Sequence, residues 1–188
     1  MIKHTMTLAA AALLGVGSVA QAQNGSDVTG PPPTTTSGGA FVPLPTTVAG
    51  GSGGTVSSAV VAAVQSAQSG VTSNFTAASP SVTSPVTGQS ILPAAASTIG
   101  TLITSGSNSA SVTSTLTAGG APAAQVTALV QAMAGLANGG SPAAIAAAAQ
   151  AFNALIQNAP PSLLANPPAE MLAIHAALLP MANAIGAR

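Results

Sequence analysis

Residues 141–161 read SPAAIAAAAQAFNALIQNAPP, a stretch with clear helix boundaries and no charged side chain. Ser141 before Pro142 is a typical helix start, because the serine oxygen can accept a hydrogen bond from a free backbone N–H and proline fits the first turn. Asn158 and the two prolines after it mark the end, since proline cannot continue a helix. The stretch therefore predicts a helix whose outer face lacks the charged side chains that usually face solvent.

Similar boundary residues delimit a helix on either side of this stretch. The preceding helix is expected to begin at Pro122 and to end at Asn138, which two glycines follow. The following helix is expected to begin at Pro167 and Pro168. Because short connections favour antiparallel neighbours, residues 121–188 predict a three-helix, Ala-rich bundle.

Each of the three helices has one face of large apolar residues. These residues recur at about 100° per residue, the period of a helix that buries one stripe. They are expected to form the core of the bundle: Val126, Leu129, Val130, Met133 and Leu136; Ile145, Phe152, Leu155 and Ile156; and Met171, Ile174, Leu178, Met181 and Ile185.

The opposite faces carry alanine where most helices carry Lys and Glu. Small residues at intervals of three or four let a second backbone approach closely, which favours packing between copies of the chain. Alanine is also the best helix former, so the same pattern is open to a simpler interpretation. The predicted self-association stripe comprises Ala124, Ala128, Ala132, Ala143, Ala147, Ala151, Ala154, Ala169, Ala173 and Ala177.

Residues 1–22 have the three-part pattern of a secretory signal peptide. Lys3 precedes an apolar stretch too short for a membrane span, and Ala20-Gln21-Ala22 provides a small-x-small cleavage site. The style of this signal suggests a bacterium. We expect the segment to be removed and the rest of the chain to be exported to the periplasm, the cell surface or the extracellular space.

Two low-complexity regions separate the signal from the predicted bundle. Residues 23–54 mix a Pro/Thr tract with a Gly/Ser tract and predict a disordered tether. Residues 55–120 are rich in Ser, Thr and Ala and predict one or two short helices, whereas the stretch SASVTSTLT could be strand or helix. The predicted fold class is mainly α, with a small Ala-rich C-terminal bundle preceded by a largely disordered arm.

The sequence offers little material for catalysis or ligand binding. After residue 22 the ionisable side chains are Asp27, Glu170, His175 and Arg188, and cysteine is absent. We therefore expect no catalytic residues, no metal, no cofactor and no nucleic-acid partner. His175 falls within an apolar stripe, which predicts a buried, neutral histidine.

The formal net charge of zero removes the repulsion that keeps proteins dispersed. An isolated three-helix bundle of this size is also marginal, and oligomerisation is a common remedy. The leading hypothesis is an exported, non-enzymatic structural protein whose partner is a second copy or another surface or matrix protein. The alternatives are a helical protein at a membrane interface, which normally needs Lys and Arg, and a secreted β-fibre built from windows such as TIGTLITSG and ASVTSTLT.

Overall fold

The computed structural model describes residues 41–49, 55–76, 82–138 and 140–186. The signal peptide predicted for residues 1–22 lies outside these ranges, as do residues 23–40 and 50–54 of the predicted tether. The described residues belong to one compact unit, Ser37–Arg188.

The described residues are mainly helical, which confirms the predicted fold class. A single antiparallel bridge, between Thr83 and Ser90, is the only β-pairing within them, and a short 3-10 turn spans Leu136–Asn138. The α-helices are α1 (Ser58–Thr76), α2 (Pro93–Ser105), α3 (Ser109–Ala118), α4 (Ala123–Gly135), α5 (Pro142–Asn158), α6 (Pro161–Ala165) and α7 (Ala169–Ile185).

Helix α5 begins and ends where the sequence predicts. The Ser141 side-chain oxygen accepts a hydrogen bond from the backbone N–H of Ala144 at 3.1 Å, and Pro142 is the first helical residue. The helix ends at Asn158, and Ala159 is extended. The local boundary signals therefore describe this helix correctly.

The predicted core residues of α4, α5 and α7 are buried, apart from the half-buried Ile156.

Helix α7 lies at the centre of the described helices and packs against α1, α2 and α5. Helices that are apolar on all sides are typically buried in this way. Its buried residues lie on more than one face: Met171, Ala173, Ile174, His175, Ala177, Leu178, Met181, Ala182 and Ile185.

Residues 55–120 are more ordered than the sequence analysis predicts. They contribute three helices rather than one or two, and α1 alone has 19 residues. The stretch with ambiguous preference is α3, in which Val112 and Leu116 are fully buried. Burial of these two side chains outweighs the strand preference of the surrounding Val and Thr residues, since tertiary packing commonly overrides β-propensity.

The three-helix bundle predicted for residues 121–188 is incomplete without α2. This helix packs against both α4 and α7, and Ile99, Leu102 and Ile103 are buried in the shared core. Helix α2 also approaches α1 closely, because a Cβ on Gly100 would lie only 3.0 Å from the Cβ of Phe75. The described part of the 55–120 region is therefore part of the same domain as the C-terminal helices.

Candidate functional site

Residues 41–49, which we call the strap, have no regular secondary structure and lie against the helices. Phe41 is 7% exposed and Leu44 is 3% exposed, and the N–H of Ala49 donates to the carbonyl of Ile185 at 2.7 Å. The prediction of a disordered tether is therefore wrong for residues 41–49. The physical reason is that burial of the two large apolar side chains and hydrogen bonds to the helices together offset the conformational entropy that the short segment loses.

Asn153 on α5 holds the middle of the strap. The N–H of Leu44 donates to its Oδ1 at 2.9 Å, and its Nδ2 donates to the carbonyl of Leu44 at 2.8 Å. The side-chain amide thus satisfies both backbone groups of one strap residue, as a neighbouring strand would. The sequence analysis missed this contact. Its signal is the run of large apolar residues at 41–44, which stands out in a Pro, Thr and Gly context.

Three rings meet beneath the N-terminal end of the strap. The ring centroid of His175 on α7 lies 5.3 Å from that of Phe41 and 5.5 Å from that of Phe152 on α5. The two phenylalanine centroids are 5.7 Å apart with an interplanar angle of 70°, a favourable edge-to-face arrangement. The strap, α5 and α7 are therefore joined by one aromatic cluster.

His175 is 1% exposed, and the burial expected from the sequence is confirmed. Its Nε2 lies 3.2 Å from the carbonyl oxygen of Val42, so the neutral ring carries its proton on Nε2 and donates it to the strap. Its Nδ1 is buried and has no hydrogen-bond partner. Desolvation lowers the pKa of His175 below the ordinary value of 6.5, and the bond to the Val42 carbonyl offsets this only in part.

The cluster offers no arrangement for acid–base or metal chemistry within the described ranges. Glu170 is five positions before His175 on α7, and no group of three or more His, Cys, Asp and Glu residues lies close enough to hold a metal ion there. The arrangement of His175, Asn153 and the strap is one that holds a segment in place.

The predicted self-association stripe is divided between the surface and the core. Four of its members are exposed on α4 and α5: Ala124, Ala128, Ala143 and Ala147. Four others are half-buried: Ala132, Ala151, Ala154 and Ala169.

The assignment of Ala173 and Ala177 to the association stripe is wrong, because both are 0% exposed within the folded chain. They lie on α7, which the helices α1, α2 and α5 surround. Small side chains allow close helix packing, and on α7 this packing occurs within one chain.

A shallow groove of about 560 Å³ runs between α3 and α4. Its lining includes Thr113 and Thr127, whose hydroxyls donate to the carbonyls of Ser109 and Ala123 in their own helices at 2.8 and 2.9 Å. The remaining lining residues are neutral, so the groove provides no charged group for a ligand. The sequence analysis did not anticipate this groove.

No family model matches the chain, and no curated protein or solved structure is significantly similar to it. Within the parts that the structure describes, no helix has both the length and the apolar character needed to cross a bilayer.

Replacing Asn153 with alanine should loosen the strap while leaving the helices in place. The loss of two hydrogen bonds, each contributing about 0.5–1.5 kcal/mol, should raise the hydrogen-exchange rate of the Leu44 amide about tenfold or more. Asn158→Ala is the matched control, because the Nδ2 of Asn158 donates only to Ala154 in its own helix. Equal exchange of Leu44 in the two variants would contradict the anchoring role of Asn153.

Proposed function

We propose that this chain is an exported, non-enzymatic structural protein that associates with copies of itself. The observation that carries the proposal is the nearly complete lack of surface charge. In the part of the chain that the structure describes, the ionisable side chains are Glu170 and His175, and His175 is buried. Such a surface has almost no like-charge repulsion to oppose contact between copies.

The exposed alanine faces of α4 and α5 supply the contact surface in this proposal. These two helices pack against each other, and each exposes two alanines of the predicted stripe, at positions 124 and 128 and at positions 143 and 147. Side chains of this size have no rotamer entropy to lose on burial, and they let a second helix come close. The corrected stripe is therefore limited to α4 and α5.

The alternative of a β-fibre draws less support from the fold. Its two candidate windows lie largely in α2 and α3, where they contribute buried residues such as Ile99 and Leu116 to the core. Their pairing into strands would require the domain to unfold. The interfacial alternative lacks the Lys and Arg residues that anchor helices to anionic lipid, as far as the described ranges extend.

Light scattering across a concentration series tests the proposal. The chain from residue 23 onwards contains the whole compact unit, and its weight-average mass should rise with concentration to at least that of a dimer. The mass should not fall in high salt, because association without charge pairs is not screened. A constant monomer mass at the highest attainable concentration would refute self-association.

A pair of double variants tests the position of the contact surface. Ala128→Lys with Ala147→Lys places charges on the proposed face and should shift the association midpoint to a concentration at least tenfold higher. Ala62→Lys with Ala94→Lys adds the same charges at exposed alanines of α1 and α2 and is the matched control. Equal weakening by both pairs would show that net charge alone governs association, and would refute the assignment to α4 and α5.

A further inference from the structure

We propose that the strap is an acid-released latch, in which protonation of His175 detaches residues 41–49 from the helices. This device concerns regulation of the fold and does not depend on self-association. It rests on the contacts of the His175 ring, on the neutrality of its surroundings and on the few bonds that hold the strap.

The contacts of His175 suit the neutral ring and not the protonated ring. Nε2 donates its proton to the carbonyl of Val42 at 3.2 Å, while Nδ1 is buried without a partner. As an unpaired acceptor in the neutral ring, Nδ1 lowers the stability of the fold only modestly. Once protonated, it would become a buried N–H donor on a charged ring, and a group of that kind requires water or a hydrogen-bond acceptor.

Within the described ranges, no carboxylate is placed to compensate the charge of a protonated His175. The elements that pack near it are the strap, α1, α2, α3 and α5, and none of them contains Asp, Glu, Lys, Arg or a second His. Glu170, five positions earlier on α7 itself, is the other titratable side chain of the described ranges, and no salt bridge joins the two. The surroundings of the ring are otherwise the apolar rings of Phe41 and Phe152.

The strap is the element that can move away from His175 when the ring is protonated. Helix α7 is held by nine buried side chains between three other helices, so the ring cannot easily turn outwards with its backbone. The strap is a single layer of nine residues without regular secondary structure, attached by the buried side chains of Phe41 and Leu44 and by hydrogen bonds to Asn153, His175 and Ile185. Its exposed side includes Val42, which is 64% exposed. Lifting this layer would bring water to the ring.

The direction of the pH dependence follows from linkage. Burial lowers the pKa of His175 in the latched state below the ordinary value of 6.5, whereas release admits water to the ring and moves its pKa back towards that value. Below about pH 6.5 the released state therefore binds a proton that the latched state excludes. Acid favours release, by up to about tenfold in the latch equilibrium per pH unit. Above that pH the latch is at full strength.

A nitroxide label on the strap measures the release directly. The chain has no cysteine, so Val42→Cys gives a single labelling site on an exposed side chain. In the chain from residue 23 onwards, the mobile fraction of the label should rise reversibly as the pH falls from 7.5 to 4.5. The far-UV circular dichroism should stay unchanged. A label that remains immobile over this range would overturn the proposal, as would simultaneous loss of the helical signal.

Two variants assign the transition to His175. His175→Gln removes the titrating ring, and its label should show no pH-dependent change in mobility. Asp27→Asn with Glu170→Gln removes the carboxylate side chains of the same chain and should retain the full transition. A transition that persists in His175→Gln, or that disappears in the carboxylate variant, would overturn the proposal.

Ring NMR of the unmodified sequence gives a second test that does not rely on substitution. From residue 23 onwards His175 is the sole histidine, so its carbon and nitrogen shifts can be followed without ambiguity. The midpoint of its protonation should coincide with the midpoint of the label's mobility. Protonation of the ring at a pH where the strap remains immobile would refute the latch.

Discussion

Replacing Phe152 with alanine should lower the free energy of unfolding by about 3–5 kcal/mol. Phe152 is fully buried, and its ring contacts both Phe41 of the strap and His175 of α7. The substitution therefore removes a large apolar side chain from the point where α5, α7 and the strap meet. The cavity left behind adds to the lost transfer free energy, because surrounding helices relax only in part.

Urea unfolding followed by circular dichroism measures this loss. Gln150 lies on the same helix but is exposed, so Gln150→Ala should change the free energy of unfolding by no more than about 0.5 kcal/mol. Both should be measured at the lowest protein concentration that gives a usable signal, so that association does not add to the apparent stability. A loss below about 1 kcal/mol for Phe152→Ala would place its ring outside the core.

At a protein concentration low enough for the chain to be monomeric, replacing Ala177 with leucine should destabilise the fold by about 1–3 kcal/mol or more, whereas Ala128→Leu should be nearly neutral. Both residues were predicted to belong to one stripe, yet Ala177 is 0% exposed and Ala128 lies on the surface of α4. Extra methylene groups beside α7 must displace packed side chains. On α4 they extend into solvent, and leucine is nearly as good a helix former as alanine.

The same unfolding experiment decides between the two locations. A similar, small effect at both positions would mean that α7 is not enclosed by its neighbours as the structure describes. A large effect at Ala128 would mean that the surface of α4 is covered, for example by a second copy of the chain. Repeating the measurement at several protein concentrations separates these cases, since only the covering by a second copy depends on concentration.

Local signals predicted the three long helices of residues 121–188 well, because proline, serine and asparagine act within a few residues of a boundary, but they did not predict the short helix α6. The N-cap of Ser141 and the end at Asn158 are examples. The large apolar stripes were equally informative, since residues such as Leu129 and Met181 have a strong preference for burial in any context. These parts of the fold depend on interactions between residues close in sequence and on strong apolar preferences, so the sequence alone predicts them.

The burial of individual alanines could not be predicted, because a nearly uncharged sequence does not distinguish the buried face of a helix from the exposed one. Lys and Glu usually identify the solvent face of a helix, and here alanine stands on both faces. Ala177 in the core and Ala128 at the surface therefore look alike. The strap was missed for a different reason. A nine-residue segment without regular secondary structure has no periodicity, and its anchor, Asn153, is 109 positions away from Leu44.

The central position of α7 has a consequence for biosynthesis. Translation produces the seven described helices in order, and α7, around which α1, α2 and α5 pack, is the last of them. The ribosome must therefore polymerise the chain as far as Ile185 before the core can close, and the earlier helices remain without their common partner until then. Such long-range pairing is slow to form. The helices α1, α2 and α5 therefore cannot acquire their native packing until α7 has been synthesised.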